Sequence, residues 1–358
     1  MTTNGKTYTR GELLQRVGRL QQIGGTRRFV LNEGRAKGVE AIEVNTGAGL
    51  VFTILPDRGL DICQATYKGT NLVFHTPNGE AHPAFYEPEG MGWLRTFFGG
   101  LLTTCGLTYL GQPGKDGDAD LGLHGRYTNS PACQVCDRSR WDGDEYLIEV
   151  SGMVEECRIF GDKMRMTRTI STQIGSRSVQ IHDIVENFGY QSSPFCILYH
   201  VNPGFPLLDA ASRFWLTAAT TSAYDAKSER NMQDMYVFSD PVPGFDEENF
   251  LHTMQGDDAG KGHAVFSNPK LNGGLGMHLR FDVSTLPYLN EWKMMGQGDY
   301  VVGVEPANVP CLNRAELREK GLLPMLEPGA ARAMLVEINV LDGMDEIERR
   351  ATSMTSDR

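Results

Sequence analysis

The fold prediction depends on two neighbouring extended runs, Lys163-Met-Arg-Met-Thr-Arg-Thr-Ile-Ser-Thr172 and Ser178-Val-Gln-Ile-His-Asp-Ile-Val185. Gly161-Asp162 precedes the first run and Gly175-Ser176 precedes the second, and such residues are typical of tight turns. A further extended run, from Glu156 to Phe160, lies immediately upstream. Closely spaced strands with turn residues between them are typical of antiparallel β-structure, so the three runs predict a meander.

The same pattern continues upstream. The other extended runs are Val39 to Val44, Leu50 to Ile54, Leu60 to Tyr67, Asn71 to Phe74 and Tyr146 to Val154. Turn residues such as Asn45-Thr-Gly47 and Lys68-Gly69 separate them. No segment between these runs is long and periodic enough to be the crossover helix that parallel strands require. We therefore predict an all-β, mainly antiparallel fold.

One helix is predicted at the N-terminus. Thr9 and Glu12 have the spacing of a capping box, and apolar residues then recur at helical intervals until Gly24-Gly25. The apolar positions are Leu13, Leu14, Val17, Leu20 and Ile23. We predict a helical lead-in over residues 1–25, a single β domain over residues 26–350 and a tail over residues 351–358.

Two regions interrupt the strand pattern, residues 76–118 and residues 226–268. Both are rich in Gly, Pro or acidic residues, and we expect loops there. Long structured loops on a β scaffold often carry binding residues. Because the chain contains no Gly/Ser-rich linker, internal repeat or low-complexity tract, we interpret the second region as an excursion and not as a domain boundary.

Composition excludes several classes of function. The chain has 358 residues, a hydrophobic fraction of 40% and a net charge of −11. This acidic balance disfavours nucleic acids and anionic membranes as partners, since both require a basic surface. The seven cysteines are odd in number and scattered, which disfavours a disulfide framework. The first ten residues lack the apolar segment of a secretory signal. We therefore expect a reduced, cytoplasmic protein.

Three segments place ionisable side chains among Gly, Pro and Asn. They are Leu121 to Pro131, Leu198 to Pro206 and Val301 to Pro310, and they carry His124, His200 and Glu305. In each, a short apolar stretch is predicted to bring one side chain to the end of a strand. Two imidazoles and a carboxylate are sufficient for acid–base chemistry near neutral pH. The alternative is structural: a satisfied histidine at a strand end, or a glutamate in a surface salt bridge.

The order and surroundings of these residues resemble the aldose 1-epimerase (galactose mutarotase) family. The matching motifs are Asp183-Ile-Val-Glu-Asn-Phe-Gly189, Pro194-Phe195, His200-Val-Asn-Pro-Gly-Phe205, Leu123-His-Gly125 and Val304-Glu-Pro306. Three segments are similar to a divergent branch of this family: Leu55-Pro-Asp-Arg-Gly-Leu-Asp-Ile62, Leu121 to Pro131 and Gln297 to Pro306. The resemblance covers nearly the whole chain after about residue 25. It implies a galactose mutarotase-like β-supersandwich with a sugar cleft on its concave side.

The resemblance also implies a mechanism. In that family a Glu takes the proton of the anomeric hydroxyl while a His donates one to the ring oxygen, so that the ring opens and closes to the other anomer. This implies Glu305 as the base, His200 as the acid and His124 near the ring oxygen. The expected substrate-binding residues are Asp57, Arg58, Arg95, Arg126 and Asn202. No cofactor is expected, the partner would be a small sugar, and a homodimer is compatible with the sequence.

Other interpretations stay open at this point. His75 and His82 could join His124 and His200 in a metal site, which would suit a metal-dependent sugar isomerase or epimerase. A lyase on the same scaffold and a non-catalytic carbohydrate-binding protein are further alternatives. Cys133-Gln-Val-Cys136 has the spacing of a zinc motif but lacks a second pair. The aromatic residues that could stack on a sugar are Trp93, Tyr109, Trp215 and Trp292, although buried aromatic residues are commoner in cores.

Overall fold

The predicted meander is present in the computed structural model, which describes residues 2–3 and 6–355. Strands Glu145–Cys157, Lys163–Gln173 and Ser178–Asn187 pair in sequence order, and all pairs are antiparallel. The run expected at residues 156–160 is not a separate strand, because Glu145–Cys157 continues unbroken through Glu156. Phe160 lies in the turn that follows and has a φ of 61°.

This meander supplies three strands of a nine-stranded sheet, here called the large sheet. Its strands, in spatial order, are Cys133–Asp137, Glu145–Cys157, Lys163–Gln173, Ser178–Asn187, Ala331–Asp342, Leu275–Asp282, Lys261–Asn268 and Arg213–Leu216. The ninth, Arg140–Asp142, also pairs with Glu145–Cys157.

Two smaller sheets complete the main architecture. The site sheet consists of Ala218–Ala223, Glu248–Met254, Tyr288–Met295, Tyr300–Ala307, Cys196–His200 and Thr103–Leu107. The N-terminal sheet consists of Gly25–Val30, Glu40–Asn45, Leu50–Leu55, Asp61–Tyr67 and Thr70–Asn71. Three short two-stranded pairs are Thr2–Thr3 with Lys6–Thr7, Gly114–Asp116 with Ala119–Leu121, and Ser193–Pro194 with Met325–Leu326.

The large sheet, the site sheet and the N-terminal sheet share one hydrophobic core. It includes Phe52 from the N-terminal sheet, Met166 and Ile338 from the large sheet, and Val302 and Val304 from the site sheet. Alternation along each strand directs these side chains inward and the intervening side chains to the other face. The predicted all-β, mainly antiparallel fold is confirmed.

A buried ionic network joins the three sheets. Arg168 of the large sheet contacts Asp61 of the N-terminal sheet and Asp183 of the large sheet, with nitrogen–oxygen distances of 2.7 Å in both pairs, and none of the three is exposed. The Tyr199 hydroxyl of the site sheet donates to Asp183 at 2.8 Å, and the Thr104 hydroxyl donates to Asp61 at 2.6 Å. The residue that precedes His200 is therefore held by all three sheets.

The predicted N-terminal helix is present but short. Thr9 accepts from the Glu12 backbone N–H, and the Glu12 side chain returns a contact to the Thr9 N–H, so the capping box is confirmed. The helix covers only Arg10–Leu14, and a separate 3₁₀ turn follows at Leu20–Gln22. Gly18 lies between them, and glycine is unfavourable inside a helix. Residues 1, 4 and 5 of the predicted lead-in lie outside the described part of the chain.

The other helices are Ala226–Arg230, Arg314–Glu319 and Met344–Thr355, and 3₁₀ turns lie at Gly34–Ala36, Pro56–Arg58, Pro83–Phe85, Gly92–Arg95, Tyr127–Asn129 and Met232–Asp234. Residues 351–355, predicted as a tail, belong to Met344–Thr355, which buries Ile347 and Met354 against Val265 and Leu341. Residues 356–358 lie outside the described range. Among the described helices, none has the length and apolar character needed to span a bilayer.

The loop prediction for residues 226–268 is wrong for its second half. Two long strands, Glu248–Met254 and Lys261–Asn268, lie there and belong to different sheets. His252 and His263 are buried within them, and those polar positions hide the strand pattern in the sequence. Residues 76–118 are mostly irregular, as expected, but they also supply the strand Thr103–Leu107.

Candidate active site

Strand alternation places Glu305 on the face of the site sheet that lies opposite the core. Val302 and Val304 of its strand belong to the core, so Glu305 projects to the other side. Asn290 is its cross-strand partner. The Asn290 side-chain amide donates to Glu305 Oε2 at 2.6 Å. One carboxylate oxygen is thus held, while the other is directed at the neighbouring strand.

His200 lies on that neighbouring strand. It ends the strand Cys196–His200, in which Tyr199 faces the core and His200 faces the site. His200 Nε2 lies 3.1 Å from Glu305 Oε1. The angle of approach does not make a hydrogen bond, and Glu305 Oε1 therefore has no donor in the protein. Both side chains are almost fully buried.

His124 reaches the same site from a loop. Its backbone has a φ of 56°, a strained conformation for a residue with a side chain, and Gly125 follows with a φ of 83°. A Cβ atom at Gly125 would collide with the carbonyl oxygen of Gly106. The backbone of His124 is fixed by hydrogen bonds to Gly111 and Gly106. Its ring centroid lies 6.1 Å from that of His200.

The three residues line one cavity of about 120 Å³. Its walls are largely aromatic: Phe97 stacks on Trp93 with ring centroids 4.7 Å apart, and Trp292 packs on the His200 ring at 5.5 Å. The remaining lining residues are Met91, Leu94, Gly111, Gln112, Leu123, Tyr224, Glu247, Asn249, Asn290 and Cys311. Aromatic walls with a few converging polar groups are typical of sites for small ligands.

Unsatisfied polar atoms concentrate in this cavity. Trp93 Nε1, His124 Nδ1, His200 Nδ1, Asn290 Oδ1 and Glu305 Oε1 are all buried without a hydrogen-bond partner. A buried polar atom without a partner costs about 1–3 kcal/mol. Five such atoms around one small space leave positions at which a bound ligand or ordered water can complete the hydrogen bonds.

Burial controls the protonation of the site. It raises the pKa of Glu305 to about 8. The hydrogen bond from Asn290 lowers this pKa, but by less than burial raises it. Burial lowers the pKa of His200 to about 3, an effect that His124 reinforces. Burial also lowers the pKa of His124 to about 4. At neutral pH Glu305 is therefore protonated and His200 is a neutral imidazole, so the pair holds one titratable proton and that proton is on Glu305.

The structure brings together the three predicted catalytic residues but none of the predicted substrate-binding residues. Arg58 is the clearest correction: it is fully buried and donates to the backbone oxygens of Thr128, Ala81 and Thr96 at 2.7–2.8 Å. It holds three loops together and does not reach the cavity. Asp57 accepts from the Glu40 backbone N–H at 2.7 Å and is likewise outside the cavity.

The other three expected contacts also lie elsewhere. Asn202 is fully buried, and its amide donates to the backbone oxygens of His200, Gly99 and Gly100, so it supports His200 from behind. Arg95 is exposed and pairs with Glu87 at 3.2 Å. Arg126 is exposed beside Tyr109 and does not line the cavity.

The metal alternative is not supported by the placement of its residues. His75 Nε2 lies 3.3 Å from Asn71 Oδ1, and His82 Nδ1 accepts from the Ala84 backbone N–H at 3.1 Å. Neither lines the cavity with His124 and His200. Within the described ranges, no group of three or more His, Cys, Asp or Glu side chains is arranged to hold a metal ion. Cys133 and Cys136 are exposed on an edge strand.

The sequence identified some of the cavity-lining residues and missed others. Trp93 and Trp292, considered there as stacking residues, do line the cavity, whereas Tyr109 and Trp215 do not. Asn290 and Phe97 were missed. Asn290 is a polar residue in the middle of an otherwise regular strand, which is a weak signal, and its pairing with Glu305 depends on a register that the sequence does not reveal.

Comparison with known proteins places the chain in a family. The model of a domain of unknown function, DUF4432, matches residues 36–340. The chain belongs to the DUF4432 family. No curated protein matches this DUF4432 chain. Among solved structures, a provisionally assigned aldose 1-epimerase from Klebsiella pneumoniae has a TM-score of 0.88 at 24% identity, over 92% of this chain and 87% of that one.

More distant structures share the architecture of this DUF4432 protein. A galactose mutarotase-like protein from Clostridium acetobutylicum has a TM-score of 0.64 at 15% identity, over 90% of this chain and 99% of that one. Galactose 1-epimerase from Lactobacillus acidophilus has a TM-score of 0.60 at 13% identity, over 89% and 99%. These likenesses confirm the galactose mutarotase-like fold that the sequence motifs imply.

Proposed function

We propose that this DUF4432 protein is a carbohydrate epimerase that interconverts the anomers of a free, uncharged sugar. The observation that supports this most strongly is the contact between Glu305 and His200. One buried carboxyl group and one imidazole lie 3.1 Å apart and together hold one titratable proton, with open hydrogen-bonding positions toward an aromatic cavity. Anomer exchange needs one acid and one base, and nothing is consumed.

The substrate itself would set the protonation needed for reaction. An anomeric hydroxyl that donates to Glu305 Oε1 adds a hydrogen bond to the carboxylate form, which lowers the pKa of Glu305. A ring oxygen that accepts from an imidazole N–H favours the protonated form of His200. Binding therefore moves the shared proton from Glu305 toward His200, and the total charge of the pair does not change.

Ring opening then follows from this arrangement. Glu305 takes the proton of the anomeric hydroxyl as the C1–O1 bond becomes a carbonyl, and His200 gives its proton to the ring oxygen as the C1–O5 bond breaks. After rotation about the C1–C2 bond, the two transfers run in reverse on the other face of the carbonyl. His124, neutral at pH 7 because of its burial, would donate a hydrogen bond near the ring oxygen. A positioned acid or base contributes typically 10²–10⁴-fold to such a reaction.

The charges around the cavity favour a neutral sugar. Among the described lining residues there is no arginine or lysine, and the two acidic residues are Glu305 and Glu247. Glu247 is exposed at the edge of the cavity and accepts from Trp292 Nε1 at 2.7 Å. A phosphate or carboxylate group on the sugar would meet this carboxylate without a compensating cation. The candidate cations from the sequence, Arg58, Arg95 and Arg126, lie outside the cavity and so cannot compensate a negative charge on the sugar.

A substrate panel tests the proposal. Freshly dissolved single anomers of glucose, galactose, xylose and their 6-phosphate or uronic counterparts, where these exist, would be followed by polarimetry. We expect the protein to accelerate anomer exchange above the buffer rate for at least one neutral sugar. The acceleration should be at least tenfold smaller for the charged counterpart of that sugar. Sugar binding without any acceleration would instead favour a carbohydrate-binding protein, and acceleration confined to charged sugars would contradict the neutral substrate.

A further inference from the structure

A second polar cavity lies far from the proposed active site, on the outer face of the large sheet. In the strand Leu275–Asp282, Met277 and Leu279 point into the core, so that His278 and Arg280 project outward. The C-terminal helix Met344–Thr355 covers the adjoining part of this face. Between the helix and the sheet is a cavity of about 670 Å³, within the size range of small-molecule sites.

A chain of three hydrogen-bonded side chains forms one wall of this cavity. Asp257 Oδ2 lies 3.0 Å from His263 Nε2, and His263 Nδ1 lies 2.9 Å from His278 Nε2. His278 is 1% exposed, and its remaining nitrogen, Nδ1, has no partner. The proposed anomer exchange makes no use of any of these residues.

The hydrogen-bond order in this chain follows from the acceptor at its end. A carboxylate can only accept, so His263 Nε2 carries the proton that faces Asp257. In a neutral imidazole the other nitrogen of His263 is then an acceptor, which requires His278 Nε2 to be the donor. His278 Nδ1 is consequently left as an acceptor. It is complementary to a hydroxyl group and not to an anion.

Two arginines of the cavity, Arg280 on the sheet and Arg350 on the C-terminal helix, lack a close carboxylate partner. Arg280 approaches Glu337 only at 4.0 Å, and within the described part of the chain no carboxylate oxygen is within 4.0 Å of Arg350. The pKa of His278 is lowered to about 3. Burial is the largest cause, and the nearby charges of Arg350 and Arg280 add to it. A third arginine of the cavity, Arg177, is by contrast paired with Glu346 at 3.0 Å.

The carboxylates of the cavity already have donors. Asp257 is bonded by His263 and by backbone N–H groups of residues 259 and 261. Glu337 accepts from Gln180 at 3.1 Å and from Asn339 at 2.8 Å. The three carboxylates of the cavity balance its three arginines in formal charge. The groups without a close hydrogen-bonding partner are two guanidinium groups and one imidazole acceptor.

We propose that this cavity is a second ligand site, which binds a small hydroxylated anion of the sugar phosphate class. Arg280 and Arg350 would hold the phosphate, since guanidinium groups match phosphate oxygens in geometry and charge. A hydroxyl of the same molecule would donate to His278 Nδ1 and complete the chain that ends at Asp257. The site takes the charged sugars that the proposed active site disfavours.

Isothermal titration calorimetry with glucose 6-phosphate, inorganic phosphate and glucose tests this site on the full-length protein. We expect saturable binding of glucose 6-phosphate, with inorganic phosphate at least tenfold weaker. Arg280→Gln and His278→Gln should each raise the dissociation constant for glucose 6-phosphate at least tenfold. The Arg280 side chain is 41% exposed, so its variant is expected to fold normally, as circular dichroism would verify.

Two control variants separate this site from other effects. Glu305→Gln changes only the proposed active site, and Arg138→Gln removes an exposed charge elsewhere, so both should leave the dissociation constant within twofold. The proposal is overturned if glucose 6-phosphate does not bind, or if Arg280→Gln binds it normally. Equal affinity for inorganic phosphate would overturn the hydroxyl contact, and loss of binding in Glu305→Gln would show that the ligand occupies the active site.

Discussion

Glu305 Oε1 and His200 Nε2 lie 3.1 Å apart on neighbouring strands of the site sheet, with no hydrogen bond between them. Asn290 holds the other carboxylate oxygen, and Asn202 holds the backbone of His200. The pair is thus rigid on its protein side and open toward the cavity. Its charge state follows from burial, because neither residue has a second charged partner in direct contact.

The pH dependence of the reaction should show the proton shared by this pair. The active pair needs one proton, and burial raises the pKa of Glu305 to about 8, so we expect kcat/KM to fall as the pH rises above about 8. Toward low pH, kcat/KM should stay constant until His124, with a pKa of about 4, becomes charged. Polarimetry after subtraction of the buffer rate would measure both limits. A decline centred near pH 6.5, the ordinary histidine value, would contradict this.

Asn290 should set the position of the alkaline limit. Its hydrogen bond stabilises the carboxylate and lowers the pKa of Glu305, in opposition to burial. Asn290→Ala removes this donor, so we expect the alkaline limit to move to higher pH and kcat to fall about tenfold. Asn249→Ala is a matched control, since Asn249 lines the cavity without contacting Glu305. A lower kcat with an unchanged pH limit would reduce Asn290 to a packing role.

Glu305 should also make the protein less stable at alkaline pH. Its pKa is about 8 when folded and 4.5 in the reference state, so the folded protein binds this proton more tightly. The resulting stabilisation is complete below pH 4.5 and is lost as the pH rises to 8, by at most about 1.4 kcal/mol per pH unit.

Glu305→Gln removes this dependence. We expect the variant to have a free energy of unfolding equal to that of the parent at pH 4.5 and a few kcal/mol higher at pH 8.5, as measured by urea denaturation. Glu33→Gln, at an exposed position, should behave like the parent at both pH values. If Glu305→Gln were less stable than the parent at pH 8.5, the carboxyl group would have to be ionised and stabilised in the fold.

The Arg168 network should be necessary for stability. Arg168→Met leaves Asp61 and Asp183 without their common cation in a fully buried position, and breaking a buried pair in this way costs about 3–5 kcal/mol. Arg140→Met removes a mostly exposed partner of Glu149 and should cost less than about 1 kcal/mol. Urea denaturation of both variants gives the comparison, and similar losses would contradict a special role for the buried network.

The sequence predicted much of the fold because strand and turn signals are local. The turns at Gly161-Asp162 and Gly175-Ser176 identify the central meander, and the family motifs identify His124, His200 and Glu305. The predictions for Arg58 and Asn202 failed for a physical reason. A charged or amide side chain beside a Gly- or Pro-containing turn has the same sequence signature whether it binds a sugar or buried backbone oxygens, and only the packing separates the two.

The cross-strand partner of Glu305 shows the second limit. Asn290 lies 15 residues upstream, and its contact depends on the register of two strands. The raised pKa of Glu305 depends in turn on its burial at a cavity that Trp93, Phe97 and Trp292 also line, and these residues come from a loop and a strand far apart in sequence. The sequence therefore indicates which groups could react, whereas the protonation of those groups is a property of the folded cavity.

Anomer exchange measured by saturation-transfer NMR, on a neutral sugar selected by polarimetry, tests most directly whether Glu305 and His200 carry out catalysis. The parent protein should transfer saturation between the α and β anomeric protons, and Glu305→Gln and His200→Asn should each reduce the exchange rate by about 10²–10⁴-fold while the sugar still binds. Asn249→Ala should retain exchange within about tenfold. Undiminished exchange in either Glu305→Gln or His200→Asn would contradict the assignment of catalysis to this pair.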